Sequence, residues 1–158
     1  MNKQNKLLLF VCIMCIISIV SMFVLLSNQN KQPEFIPPSF DALAQNGTPK
    51  IQGQFGYQVL DAQVFLVGLC GELIVNDNVV DVWFTNPKSN DIWMKLRMHD
   101  SLGNILGETG LIRPGEYVQS LILDELPQPE SSVVIKVMAY EPDTYYSAGS
   151  VSINTNWH

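Results

Sequence analysis

Hydrophobic and polar positions divide the chain into two unlike parts. Residues 7–26 form an unbroken apolar run, relieved only by Ser18 and Ser21 and free of charge. At about 1.5 Å of rise per helical residue, such a run spans roughly the 30 Å hydrocarbon core of a bilayer, which a small globular domain has no reason to supply in one piece. It predicts one N-terminal transmembrane helix over 7–27. Beyond it no helical period recurs. From residue 54 onward, apolar positions fall into short runs, several of them alternating, closed by Gly, Pro, Asn or Asp.

The cleanest alternation is 92–99, with Ile92, Met94, Leu96 and Met98 on one face and Trp93, Lys95, Arg97 and His99 on the other. In 79–84, Val80, Val82 and Phe84 oppose Val79, Asp81 and Trp83. Further strands are expected over 57–66, 72–75, 105–108, 117–123, 133–140 and 149–155. Turns are expected at Asn76-Asp77-Asn78, at Asn86-Pro87, around Gly103, and at Arg113-Pro114-Gly115-Glu116 in type II geometry; 125–132, with Pro127 and Pro129, reads as loop. About eight evenly spaced strands predict a mainly β domain, an antiparallel immunoglobulin- or fibronectin-III-like β-sandwich preceded by the single helix. The Cys and Trp spacing of antibody domains is missing, so the prediction is one of architecture.

The expected organisation is a cytoplasmic N-terminus over 1–6, an anchor over 7–27, a Pro/Asn/Gln-rich tether over 28–53 and an extracytoplasmic sandwich over 54–158. The apolar run exceeds a secretory h-region, and Val24-Leu25-Leu26-Ser27-Asn28-Gln29 offers no A-x-A-like cleavage site, which favours an uncleaved anchor over a signal peptide. Leu9-Phe10-Val11-Cys12 is a poor lipoprotein box, because a bulky residue precedes a cysteine that lies too early in the run. Lys3 and Lys6 precede the run while Lys31 alone follows closely, which keeps the N-terminus inside. In the tether, Pro33, Pro37, Pro38 and Pro49 bar regular helix. Phe35, Ile36 and Phe40 are more apolar than a free linker needs, so part of it is expected to lie on the domain or the bilayer interface. Asn46-Gly47-Thr48 is a formal glycosylation sequon, relevant only in a glycosylating secretory pathway, and is otherwise a polar turn.

From Gln32 onward six bases stand against fifteen acids, a net charge of −9 that repels phosphate backbones. Nucleic-acid binding is therefore not expected. Cys12 and Cys15 lie in the apolar run, leaving Cys70 without an exported disulfide partner. Among Val67, Leu69 and Leu73 it reads as a buried small hydrophobe; a nucleophilic role would need His99 or His158 brought beside it.

Asn86-Pro87, Asn90, Trp93, Gly103, Ile105-Leu106-Gly107-Glu108-Thr109-Gly110-Leu111-Ile112 and Pro114-Gly115-Glu116-Tyr117 carry a resemblance. This stretch resembles a group of small membrane-anchored or secreted β-sandwich proteins of Gram-positive bacteria. The resemblance spans roughly the C-terminal half and implies fold and envelope location, with no activity and no functional residues.

Candidate chemistry is sparse. His99-Asp100-Ser101 has the residue types of a hydrolytic triad, but neighbours on a strand point to opposite faces. Asn76-Asp77-Asn78 and Glu141-Pro142-Asp143 lack the alternating ligands of a calcium loop. No cofactor or metal and no catalytic residue is expected. Trp93, Lys95 and Arg97 on one outward face form the candidate partner-binding stripe, which a neighbouring strand or the tether would equally well cover. Two functions follow: a non-enzymatic protein-interaction or structural component of a cell-envelope or secretion assembly, or a surface module binding carbohydrate or another ligand.

Overall fold

The computed structural model describes residues 2–29, 35–51, 56–127 and 131–156. Lys31, Pro33, Gly53, Gln54, Pro129 and His158 lie outside the described residues. The chain falls into two units, Met1–Ile36 and Pro37–His158.

The first unit is the helix α1, Lys3–Gln29. Its described side chains are apolar on every side and uncovered, with Phe10 63% and Phe23 73% exposed, and the segment Lys3–Phe23 is long and apolar enough to cross a membrane. The hydroxyls that interrupt it are satisfied internally: Ser18 Oγ donates to the Cys15 carbonyl and Ser21 Oγ to that of Ser18, each at 2.9 Å.

The second unit is a sandwich of two sheets in which every strand pairing is antiparallel. Sheet one holds β1 (Gln45–Asn46), β2 (Tyr57–Asp61), β3 (Leu66–Cys70), β4 (Ile74–Asn76), β5 (Val79–Thr85) and β8 (Glu116–Ile122), in the order β1-β8-β5-β3-β2 with β4 also on β5. Sheet two runs β10 (Ser147–Asn156), β9 (Ser132–Tyr140), β6 (Trp93–His99), β7 (Ile105–Glu108). Between them lie Val80, Val82 and Phe84 of β5, Met94, Leu96 and Met98 of β6, and Val133, Ile135 and Val137 of β9, all buried. The alternations of β5 and β6 thus have the phase expected of them.

Turns follow the residues that signalled them. Gly115 takes φ 82° while Glu116 N donates to the Arg113 carbonyl at 3.0 Å, and Gly103 takes φ 89° between β6 and β7. Asp77, at φ 56°, begins the two-residue link from Asn76 to Val79.

Two elements differ from expectation, and the tether joins the sandwich. The run 57–66 is a hairpin rather than one strand: Ala62 N donates to the Phe65 carbonyl, Gln63 takes φ 71°, and the Asp61 carboxylate accepts from Gln63 N at 2.8 Å. A side chain builds this turn where no Gly or Pro marks it. Strand β5 carries a bulge between Asp81 and Phe84 with Trp83 at φ 47°. The described part of the tether from Pro37 onward belongs to the sandwich. There, Leu111 N donates to the Ser39 carbonyl and Asp41 N to that of Leu111, each at 2.9 Å, while β1 pairs with β8. Gly110 allows this close approach, since a Cβ there would sit 2.5 Å from Asp41 N. Phe35 and Ile36 belong to the first unit.

Candidate functional site

Trp93, Lys95 and Arg97 do share the outer face of β6, each half-buried. Opposite Arg97 on β7 lies Glu108, which accepts from both bases: Lys95 Nζ at 2.6 Å to Oε1 and Arg97 Nη2 at 2.7 Å to Oε2. Burial alone would raise the Glu108 carboxyl, but hydrogen bonds and charges from Lys95 and Arg97 outweigh it and hold the group below its ordinary range. The arrangement clamps β6 to β7.

Trp93 sits between two rings, the edge of Phe40 at 4.8 Å and 77° and Tyr145 at 5.2 Å and 64° between centroids. The Arg113 guanidinium lies 3.5 Å over the Phe40 ring. The aromatic end of the stripe thus receives the strap formed by the former tether. Phe40 in a proline-rich stretch was the sequence signal for this; Arg113, read only as a turn residue, gave none.

On its other side β6 pairs with β9, which sets Trp93 across from Tyr140, Lys95 across from Met138 and Arg97 across from Lys136. Three of the six bases of residues 37–158, Lys95, Arg97 and Lys136, therefore share the outer face of sheet two. Among the described residues Lys136 has no ion pair. Like charges directly opposite on neighbouring strands are destabilising.

The other candidates are structural. His99 Nδ1 lies 3.2 Å from the Gly103 carbonyl, while the Asp100 carboxylate accepts from Leu102 N, Asn104 N and Asn104 Nδ2, so the two are not relayed to one another. The Asn104 side chain chiefly holds Asp100 below its ordinary range. Glu141 takes the Thr144 hydroxyl at 3.2 Å. Cys70 is fully buried, and burial first, then the negative Asp81 and Glu72, push its thiol up to about 11. Among the described residues no three His, Cys, Asp or Glu side chains gather as metal ligands. A cleft of about 320 Å³ lies beside the sequon, lined by residues including Asn46, Thr48, Thr85 and Lys88, none of them aromatic.

Two antiparallel sheets behind one apolar helix define the class, a β-sandwich protein with an N-terminal helix long enough to span a membrane. No family model matches the chain, and no curated protein matches it significantly. Among solved structures it is similar to CopC from Methylosinus trichosporium OB3b, at 17% identity and a TM-score of 0.33 over 64% of this chain and 90% of that one. At this similarity nothing about CopC transfers to this chain.

Proposed function

We propose that the protein is a non-enzymatic, single-pass membrane protein of the cell envelope whose sandwich lies outside the cytoplasm and binds another protein through the outer face of sheet two. One observation carries this reading: in an acidic domain, half of the bases meet on one sheet face, and Arg97 faces Lys136 although like charges there cost stability. A face kept unfavourable in isolation is compensated when a partner supplies acids. Tyr140, half-buried across from the strap-covered Trp93, adds an aromatic ring of the kind common at such surfaces. The inside-positive lysines Lys3 and Lys6 support the orientation, and the resemblance to Gram-positive envelope proteins supports the location. Carbohydrate binding is the weaker reading, since the cleft beside Asn46 has no ring to stack on a sugar.

The test is recovery of co-purifying protein from the full chain in its own membranes, comparing the natural protein with Lys136→Ala and Lys136→Glu, which leave the Glu108 clamp intact. Loss of partner without any fall in melting temperature is expected. Retention in both variants refutes the face, and protection of the sandwich from protease on intact, wall-stripped cells refutes the orientation.

A further inference from the structure

Among the described residues five strands pair with one strand only, and they are not alike. β1 has 2 residues and β4 has 3; β2 has 5 and ends in the charged Asp61; β7 has 4 and ends in the Glu108 clamp. β10 has 10 residues, Ser147 to Asn156, and contains neither a charge nor a proline. Among the described residues its only strand partner is β9, and the stretch 150–154 stops short of Thr155, whose Oγ1 donates to the Gly71 carbonyl at 2.7 Å. Open edges are normally shortened, charged or bulged because they template pairing with another chain. Here the sole irregularity lies at the start, between Ser147 and Gly149, leaving the stretch beyond it regular.

We propose that this edge pairs with the same edge of a second copy, β10 against β10 in antiparallel sense, joining two four-stranded sheets across a two-fold axis at Ser152. The sequence Ser150-Val151-Ser152-Ile153-Asn154 is symmetric about that residue in polar and apolar character. The register that keeps core-facing residues on one face sets Val151 against Ile153 of the second copy, Ser150 against Asn154 and Ser152 against itself. Val151 and Ile153 are half-buried against the core, so pairing covers their remaining surface on both copies. Charge selects the place at which two copies meet. Residues 37–158 hold fourteen acids and six bases, so two copies repel over most of their surface and approach most easily along the uncharged strand. The pairing uses the edge of β10 rather than the outer face of sheet two, although Ser152 lies across from Lys136 of that face. Anchoring of both copies in one membrane, as proposed above, raises their effective concentration.

The full chain, with Cys12→Ser and Cys15→Ser, is reconstituted in phosphatidylcholine vesicles and spin-labelled at Ser150→Cys, Ser152→Cys or Asn154→Cys, one position at a time. The inter-chain distance should be shortest at 152 and longer by about 9 Å or more at both 150 and 154, because each of those labels then lies four residues along the strand from its counterpart. Ser152→Lys, combined with Lys136→Thr because Lys136 lies across from Ser152 within the chain, places like charges on the axis and should abolish the coupling seen at the outer positions without lowering the melting temperature. Absent coupling at all three positions, or a profile without its minimum at 152, overturns the proposal; so does coupling that survives Ser152→Lys. Vesicle flotation reports the anchor separately, so failure of the membrane reading is distinguishable from failure of the pairing.

Discussion

Asn86→Ala is expected to cost more than any other single polar truncation in the sandwich. Asn86 is fully buried between the end of β5 and the start of β6. Its Nδ2 donates to the Ile92 carbonyl at 2.8 Å and the Ile112 carbonyl at 3.3 Å, and its Oδ1 accepts from Asn90 Nδ2 at 2.8 Å. Asn90 in turn exchanges hydrogen bonds with the Leu66 backbone, so the pair links β3, β5, β6 and the segment before β8. The three bonds do not count equally. The Ile112 carbonyl keeps Met94 N at 3.0 Å, and Asn90 Nδ2 keeps the Leu66 carbonyl at 2.7 Å. The Ile92 carbonyl has no other donor among the described residues and is left dry. One stranded buried acceptor costs about 1–3 kcal/mol, and the two weakened contacts add about 1 kcal/mol together, for a loss of about 3 kcal/mol. In a domain of this size that lowers the melting temperature by about 10–15 °C. Thermal unfolding of the detergent-solubilised chain, followed by circular dichroism, measures it. A drop under about 3 °C would show that water reaches the Ile92 carbonyl. Additivity of Asn86→Ala with Asn90→Ala would deny the bond between them.

Glu108→Gln should lose about 1 kcal/mol at neutral pH, a value kept small because the carboxylate and Arg97 are partly exposed. The Glu108 carboxyl is lowered in the fold, so its contribution is present above the ordinary carboxylate range and fades as pH falls through the lowered value. Denaturant titrations of the two proteins should therefore converge in acid, and a constant gap would refute the clamp. Cys70, with its thiol pushed up to about 11, should react with a thiol reagent at least about 100-fold more slowly folded than in denaturant; equal rates would show an exposed thiol. Gly110→Ala should drive the new Cβ into the strap at Asp41, costing about 2 kcal/mol and opening 37–47 to protease while the sheets stay resistant. An uncut strap would show that Asp41 yields without detaching.

What could be read from the chain was what side-chain periodicity or glycine and proline announce. β6 was legible because four apolar residues alternate without interruption, and the turn at Gly115 because its φ of 82° suits glycine far better than any side chain. The hairpin between β2 and β3 was hidden because Asp61 makes the turn with its carboxylate inside an apolar run. Asn86 showed only as a turn residue and Asn90 only as part of the resemblance, since their worth lies in carbonyls that the fold delivers from distant strands. The stripe divides the same way. Alternation alone put Trp93, Lys95 and Arg97 on one face, but only strand register could add Glu108 from one side and Lys136 from the other. Those two additions pull in opposite directions: one acid satisfies two bases, and a third base then faces Arg97 with no acid of its own among the described residues. A stripe built purely for stability would have placed an acid at 136, and that unmade ion pair is what the proposed binding surface rests on.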